Sequence, residues 1–208
     1  MTEPSEAELL EAARKGDRRA FGRLVRMHQR RVYACAVQML GDGGDADDAV
    51  QETFVRAWRA IDRFDGRSQL STWLYRVCVN VCLNHLRRRK RNDASDLADP
   101  RVPEPSADPT QGQNDPRHAL EARQLSARIA EALDGLSESL RTTVILVLVN
   151  GMPQKEAAEV CGCSEGTIAW RIHEARRRLR LALADAADEE SGSESEEGAR
   201  AATGRRAS

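Results

Sequence analysis

The sequence predicts an all-α protein of two small helical domains, an N-terminal helical bundle and a C-terminal helix-turn-helix, joined by a flexible Pro-rich linker. Two observations carry this. Apolar residues recur at helical spacing through residues 5–91 and again through 118–186. Between them, over 92–117, Pro100, Pro103, Pro105, Pro109 and Pro116 fall among Asp, Ser, Gly and Gln, and the period is lost.

Each element has its own signal. Ser5 and Glu8 fit a capping box, so a short helix runs to about Lys15. Gly16 ends it and Asp17 caps the next, where Phe21, Leu24, His28, Val32, Cys35 and Met39 share a face until Gly41. Asp45 is expected to cap a third helix with Val50, Phe54, Ala57 and Ile61 inward. The polar stretch 62–68, with Gly66, reads as a loop. Ser71 is expected to cap a fourth helix whose inner face is Leu74, Val77, Val81 and His85, and which runs into a basic segment. Beyond the linker, Leu120, Leu125, Ile129 and Leu133 mark a helix that Gly135 breaks. The β-branched run Val144–Val149 resembles a strand by itself. It is assigned to a helix from Glu138 because Ser137 precedes it and Asn150-Gly151 stops it. A helix over 154–160, the turn Cys161-Gly162-Cys163 and a last helix capped by Ser164, with Ile168, Ile172, Ala175 and Leu179 inward, complete the second domain. The acidic tail 187–208 is expected to be disordered.

Charge excludes less than its total suggests. The 208 residues carry 32 basic and 33 acidic side chains, a net charge of −1. Yet Arg87–Arg91 is an unbroken basic run, and Arg171, Arg176, Arg177, Arg178 and Arg180 crowd a second segment. Such patches bind phosphate locally whatever the total charge. Acid gathers at 42–52 and 185–197. Five cysteines are an odd count without disulfide-framework spacing, residues 1–10 lack a signal-peptide pattern, and the longest apolar run is too short to span a bilayer. The expectation is a reduced cytoplasmic protein without membrane insertion. Cys78, Cys82 and His85 share a helical face, an arrangement seen in zinc sites, but free cysteines more often pack, so no metal and no cofactor is expected. No Ser-His-Asp set, Walker loop or paired catalytic carboxylates can be assembled, so no enzyme activity is expected.

Two helices around a tight Gly turn form the helix-turn-helix pattern, whose second helix reads bases near its N-terminus. Here that helix opens Ser164-Glu165-Gly166-Thr167-Ile168-Ala169-Trp170-Arg171. Ser164 or Thr167 can meet phosphate, and Arg171 phosphate or a guanine edge. From this pattern alone a helical hairpin with a solvated Arg-rich face also fits.

Three stretches resemble one family. Gly41-Asp42 with Asp45 to Trp58 resembles the core-polymerase-binding helix of bacterial extracytoplasmic-function sigma factors. Phe64 to Ser68, Ser71 to Arg76, Asn80 and Asn84 to Arg88 resemble their promoter-melting segment. Gly166-Thr167-Ile168 with Arg171 to Arg176 resembles their second promoter-reading helix. The resemblance implies an alternative sigma factor that directs promoter recognition, DNA melting and initiation, with core RNA polymerase (its clamp coiled coil and flap), promoter DNA and an anti-sigma factor as partners. It implies that Asp45, Asp48, Gln51 and Glu52 dock on polymerase. Phe64, Arg67, Ser68, Trp73, Arg76, Asn80, Asn84, Arg87 and Arg88 would bind the minus-ten element, with Trp73 open to either core packing or a duplex wedge. Ser164, Thr167, Arg171, Arg176 and Arg177 would bind the minus-thirty-five element. The chain departs from the family pattern at Ala49, where a larger aliphatic residue is usual. It also departs at Ala169 and Trp170, in place of a basic residue and Ser, and at Glu174, where Arg is frequent. The residues alone fit two other classes, a helix-turn-helix regulator and an all-helical interaction protein.

Overall fold

The computed structural model describes residues 4–41, 43–95, 128–129, 131–133 and 135–182. The expected linker beyond residue 95, the helix start at 118–127 with Leu120 and Leu125, and the tail 187–208 lie outside the described residues. Among the described residues there is no strand.

Helix α1 spans Glu6–Arg14 and opens on a complete capping box: Glu8 N–H donates to Ser5 Oγ, and Ser5 N–H donates to Glu8 at 2.8 Å. That bond to the Ser5 backbone holds the Glu8 carboxyl below its ordinary value. Helix α2 (Arg18–Leu40) begins at Asp17, whose carboxylate accepts from Arg19 and Ala20 N–H, and ends at Gly41, left-handed at φ +73°. Helix α3 covers Gly43–Ala60, and a 3-10 turn over Ile61–Arg63 follows. Asp45 is therefore not the cap but lies inside the first turn, where an acidic side chain is also favoured by the helix dipole. Helix α4 runs Leu70–Ser95, so Ser71 too lies within the helix, and the helix continues past Arg91.

Helices α2, α3 and α4 pack on one another, with α1 against α2. Their contacts are lined by small side chains: Cys35, Ala36, Ala46, Ala49, Ala57, Cys78 and Cys82 are fully buried, around Leu24, Val32, Met39 and Val81. Small residues let helices approach, and each large aliphatic side chain taken out of water contributes roughly 1.5–3 kcal/mol. On α4 the buried residues include Leu74, Cys78, Val79, Val81 and Cys82; Leu74 and Val81 face inward as expected, while Val77 and His85 are half-buried and the cysteines take their place in the core. Thr53, also fully buried, donates its hydroxyl to Ala49 O at 2.7 Å.

Helix α5 (Glu138–Val144) continues into a π turn over Ile145–Val149, closed by Asn150, whose backbone N–H and Nδ2 both donate to Ile145 O. Helix α6 (Gln154–Cys161) ends at Gly162, left-handed at φ +64°. Helix α7 occupies residues 165–182. By their contacts, the described residues up to Ser95 with Thr142–Ala169 form one unit, and those from 128 to Arg141 with Trp170 onward form the other, the boundaries falling inside α5 and α7.

Candidate nucleic-acid interface

The loop before α4 is shaped locally. Asp65 Oδ1 accepts from Arg67 N–H at 3.1 Å across Gly66, which sits at φ +73°, and the Asp65 carboxylate also pairs with the Arg67 guanidinium at 3.1 Å. This turn brings Phe64, Arg67 and Ser68 beside Trp73 and Arg76 around a cavity of about 440 Å³. Phe64 is 4% exposed, its ring centroid 5.3 Å from that of Trp73. It therefore forms a wall of the cavity, with the Trp73 ring packed against it. Trp73 is half-buried. Two acidic residues of α6, invisible to motif reasoning, belong here: Glu159 lines the cavity, and Glu156 accepts from Thr72 Oγ1 at 3.3 Å.

Along α4, Arg76, Asn80, Asn84 and Arg87 fall at intervals of four, four and three, which places them on one face. Arg76, Asn80, Arg87 and Arg88 are exposed, and Asn84 is half-buried. At the far end Asn84, Arg87, Arg88, Lys90 and Arg91 border a groove of about 590 Å³. Lys90 and Arg91, part of the basic run noted in the sequence, extend this surface beyond Arg88. Between Arg76 and Arg91 the helix rises about 22 Å, a cationic and amide-bearing strip suited to a nucleic-acid backbone and unpaired bases.

Helix α3 presents another chemistry. Asp48 and Gln51 are exposed and Asp45 is half-buried. Val55, one turn beyond Gln51, is 43% exposed, an apolar neighbour that the acidic pattern did not signal. Glu52, expected at the polymerase interface, also has partners within the protein. Its carboxylate receives Arg56 on one oxygen and stands 3.1 Å from His85 Nε2 on the other, so it ties α3 to α4. The His85 hydrogen bond, with Arg56 beside it, holds the Glu52 carboxyl below its ordinary value. A lowered folded-state value means that the stabilisation is complete above the unfolded carboxyl range near pH 4.3 and is lost as pH falls through the folded value. Glu52→Gln should therefore cost about 1 kcal/mol at pH 7 and flatten the loss of stability below about pH 5. Urea unfolding of both proteins across pH 3 to 7 (a range set by ordinary carboxyl values) measures this.

Cys35, Cys78 and Cys82 lie together in the core, with Cys78 Sγ 3.9 Å from Cys82 Sγ. A thiol hydrogen bond to Cys78, and then burial, push the Cys35 thiol up. Among the described residues, no group of three or more His, Cys, Asp or Glu is arranged to hold a metal ion.

Helix α7 starts with Ser164, whose hydroxyl accepts from Thr167 N–H at 3.2 Å and lies 2.9 Å from Thr167 Oγ1. The Ser164 hydroxyl thus caps the helix and is bonded to the Thr167 hydroxyl. Arg171 is half-buried, and Arg176 and Arg177 are exposed. Arg177 holds Glu174 through two bonds of 2.9 Å, and Arg178 adds one of 2.7 Å. Arg177, then Arg178, lower the Glu174 carboxyl to about 2. Arg177 is thus paired with Glu174 within its own helix.

Residues 24–92 match the Sigma-70 region 2 family and residues 126–179 match Sigma-70, region 4. The chain is 32% identical to the RNA polymerase sigma-H factor of Pseudomonas aeruginosa over 88% of its own length and 96% of that protein's. It is 34% identical to the ECF RNA polymerase sigma-E factor of Escherichia coli, covering 82% of the chain and 90% of the relative. Among solved structures, CnrH in complex with the cytosolic domain of CnrY aligns at a TM-score of 0.61 and 32% identity, over 86% of this chain and 96% of that one. The sigma factor RpoE in complex with the anti-sigma factor NepR from Bartonella quintana aligns at 0.59 and 27% identity, over 78% and 96%. No helix among the described residues is long and apolar enough to cross a membrane. With relatives matched over nearly their whole length and both family segments in order, the chain belongs to the RNA polymerase sigma factors of the extracytoplasmic-function group and acts in transcription initiation.

Proposed function

We propose that α3 grips core RNA polymerase while α4 with its preceding loop opens the minus-ten region and α7 reads the upstream element, the chain itself catalysing nothing and working in the cytoplasm. What supports this most is the separation of chemistries: an acidic stripe on α3 and a basic and amide-bearing stripe on α4, held to each other by Glu52 and His85. Asp45, Asp48 and Gln51 supply acceptors for Arg on the polymerase clamp coiled coil, with Val55 as apolar contact. Glu52 is a positioning residue that fixes α3 against α4.

Opening DNA requires that unpaired bases be captured once they leave the stack. The cavity at Phe64, Arg67, Ser68, Trp73 and Arg76 offers such a place, with Trp73 as an aromatic wall and Ser68 and Arg76 for base edges and phosphate. Asn80, Asn84, Arg87 and Arg88 carry the strand onward. Ser164, Thr167, Arg171 and Arg176 anchor α7 to duplex phosphates. CnrH and the Bartonella sigma factor are each seen with a protein partner, CnrY and the anti-sigma factor NepR; a partner of that kind restrains this chain as well.

Affinity measurements with and without core polymerase test the reading. The chain is expected to co-purify with core enzyme and to bind promoter duplex weakly by itself. Tight, specific duplex binding by the free chain with no affinity for core would instead make it a helix-turn-helix regulator.

A further inference from the structure

The indole of Trp170 is 62% exposed, whereas Trp58 and Trp73 lie against Phe21 and Phe64 with ring centroids 5.0 and 5.3 Å apart. The register of α7 fixes what surrounds it. At about 100° per residue, the buried Ile172 and Ala175 mark the inward side of the helix. Trp170, His173 and Arg177 fall on the opposite side, all exposed, with Arg171 and Arg176 on the two flanks. Arg177 is engaged by Glu174. The middle of the outward face is therefore a large aromatic ring with Glu174 one turn on and arginines to either side, and not a continuous cationic patch.

The flanking arginines favour a polyanion over a neutral partner, and an α-helix fits the major groove of duplex DNA. Inside that groove the bases are not equivalent to an indole. Indole has one N–H donor and no acceptor. Laid over a guanine or adenine edge it removes water from acceptors without replacing those bonds. Thymine presents a methyl group, the apolar feature of the groove. Resting on the assignment of α7 to the upstream element, we infer that Trp170 is a specificity-determining residue that reads a thymine through its 5-methyl group. The ring covers the methyl, Arg171 and Arg176 hold the phosphates on either side, and the helix needs no hydrogen bond to that base.

Deoxyuridine tests this, because it lacks the methyl of thymidine and differs in nothing else. Holoenzyme assembled from the full chain and core polymerase selects from a duplex library randomised across the upstream element. Each thymine in the selected duplexes, on either strand, is then replaced singly by deoxyuridine. At one position deoxyuridine should weaken binding about fourfold, the factor expected for one buried methyl-sized group. Trp170→Ala should bind both duplexes equally there while keeping wild-type preferences elsewhere. Trp170→Phe, which keeps an aromatic face, should retain part of the thymine preference. The inference is overturned if no selected thymine is methyl-sensitive, or if Trp170→Ala keeps the wild-type ratio of thymine to deoxyuridine. It is equally overturned if the substitution leaves every base preference intact and abolishes binding of a protein partner. Failure to form holoenzyme, or selection of no duplex at all, is a separate result that sinks the sigma assignment and the methyl reading with it.

Discussion

Asn80→Ala combined with Arg87→Ala will slow open-complex formation about 100-fold while changing core polymerase affinity less than about threefold. Each side chain is exposed on the outward strip of α4, and each is assigned one contact to an unpaired base or to phosphate. A good polar contact to a base contributes about 1–3 kcal/mol. Two losses of about 1.4 kcal/mol each multiply to a factor of about 100. Alanine is a strong helix former, so neither change disturbs α4. Stopped-flow fluorescence from a base analogue in the minus-ten region measures opening, and titration of labelled factor with core enzyme measures docking. A double variant that lost polymerase binding and opened DNA normally once assembled would reverse the two assignments.

The complementary change acts on α3. Asp48→Arg with Gln51→Arg should weaken core polymerase binding more than about 100-fold, since like charges brought together across an interface cost several kcal/mol. Both positions are exposed, and surface substitutions of this kind usually shift stability by less than about 0.5 kcal/mol. The thermal midpoint should therefore stay near that of the parent chain. Competition against the unmodified factor for a limiting amount of core enzyme gives the ratio of affinities. Unchanged competition would remove α3 from the docking surface.

Local chemistry made much of the fold legible. The capping box at Ser5 and Glu8, the Asp17 cap and the left-handed Gly41 and Gly162 depend on residues within a turn of one another, and the sequence shows such neighbours directly. The starts of α3 and α4 were harder to place. An acidic or hydroxyl side chain is favoured both at a cap and within the first turn, and Asp45 and Ser71 proved to be first-turn residues. The π turn over Ile145–Val149 follows from a bond between residues five apart, which a search for helical periodicity does not register.

The candidate site divides in the same way. Asn80, Asn84 and Arg87 were readable because a helix fixes which side chains share a face. The pairing of Glu52 with His85 is not legible in the sequence, because the two stand 33 positions apart and only packing of α3 on α4 brings them together. The contact of Phe64 with Trp73 is hidden for the same reason, since it forms across a loop. Trp170 is the opposite case. The burial pattern of Ile168, Ile172 and Ala175 was already assigned from sequence, and counting two positions on from Ile168 would have placed the indole on the outward face.

The division of labour between α3 and the two DNA-facing helices is tested most directly by a single reconstitution. Purified chain and core RNA polymerase are combined on the DNA upstream of the chain's own gene, and run-off transcription is followed together with permanganate reactivity of unpaired thymines. One defined start site, with reactive thymines just upstream of it that appear only when chain and core are both present, is the predicted result. Transcripts and reactivity identical to those of core enzyme alone would contradict the account.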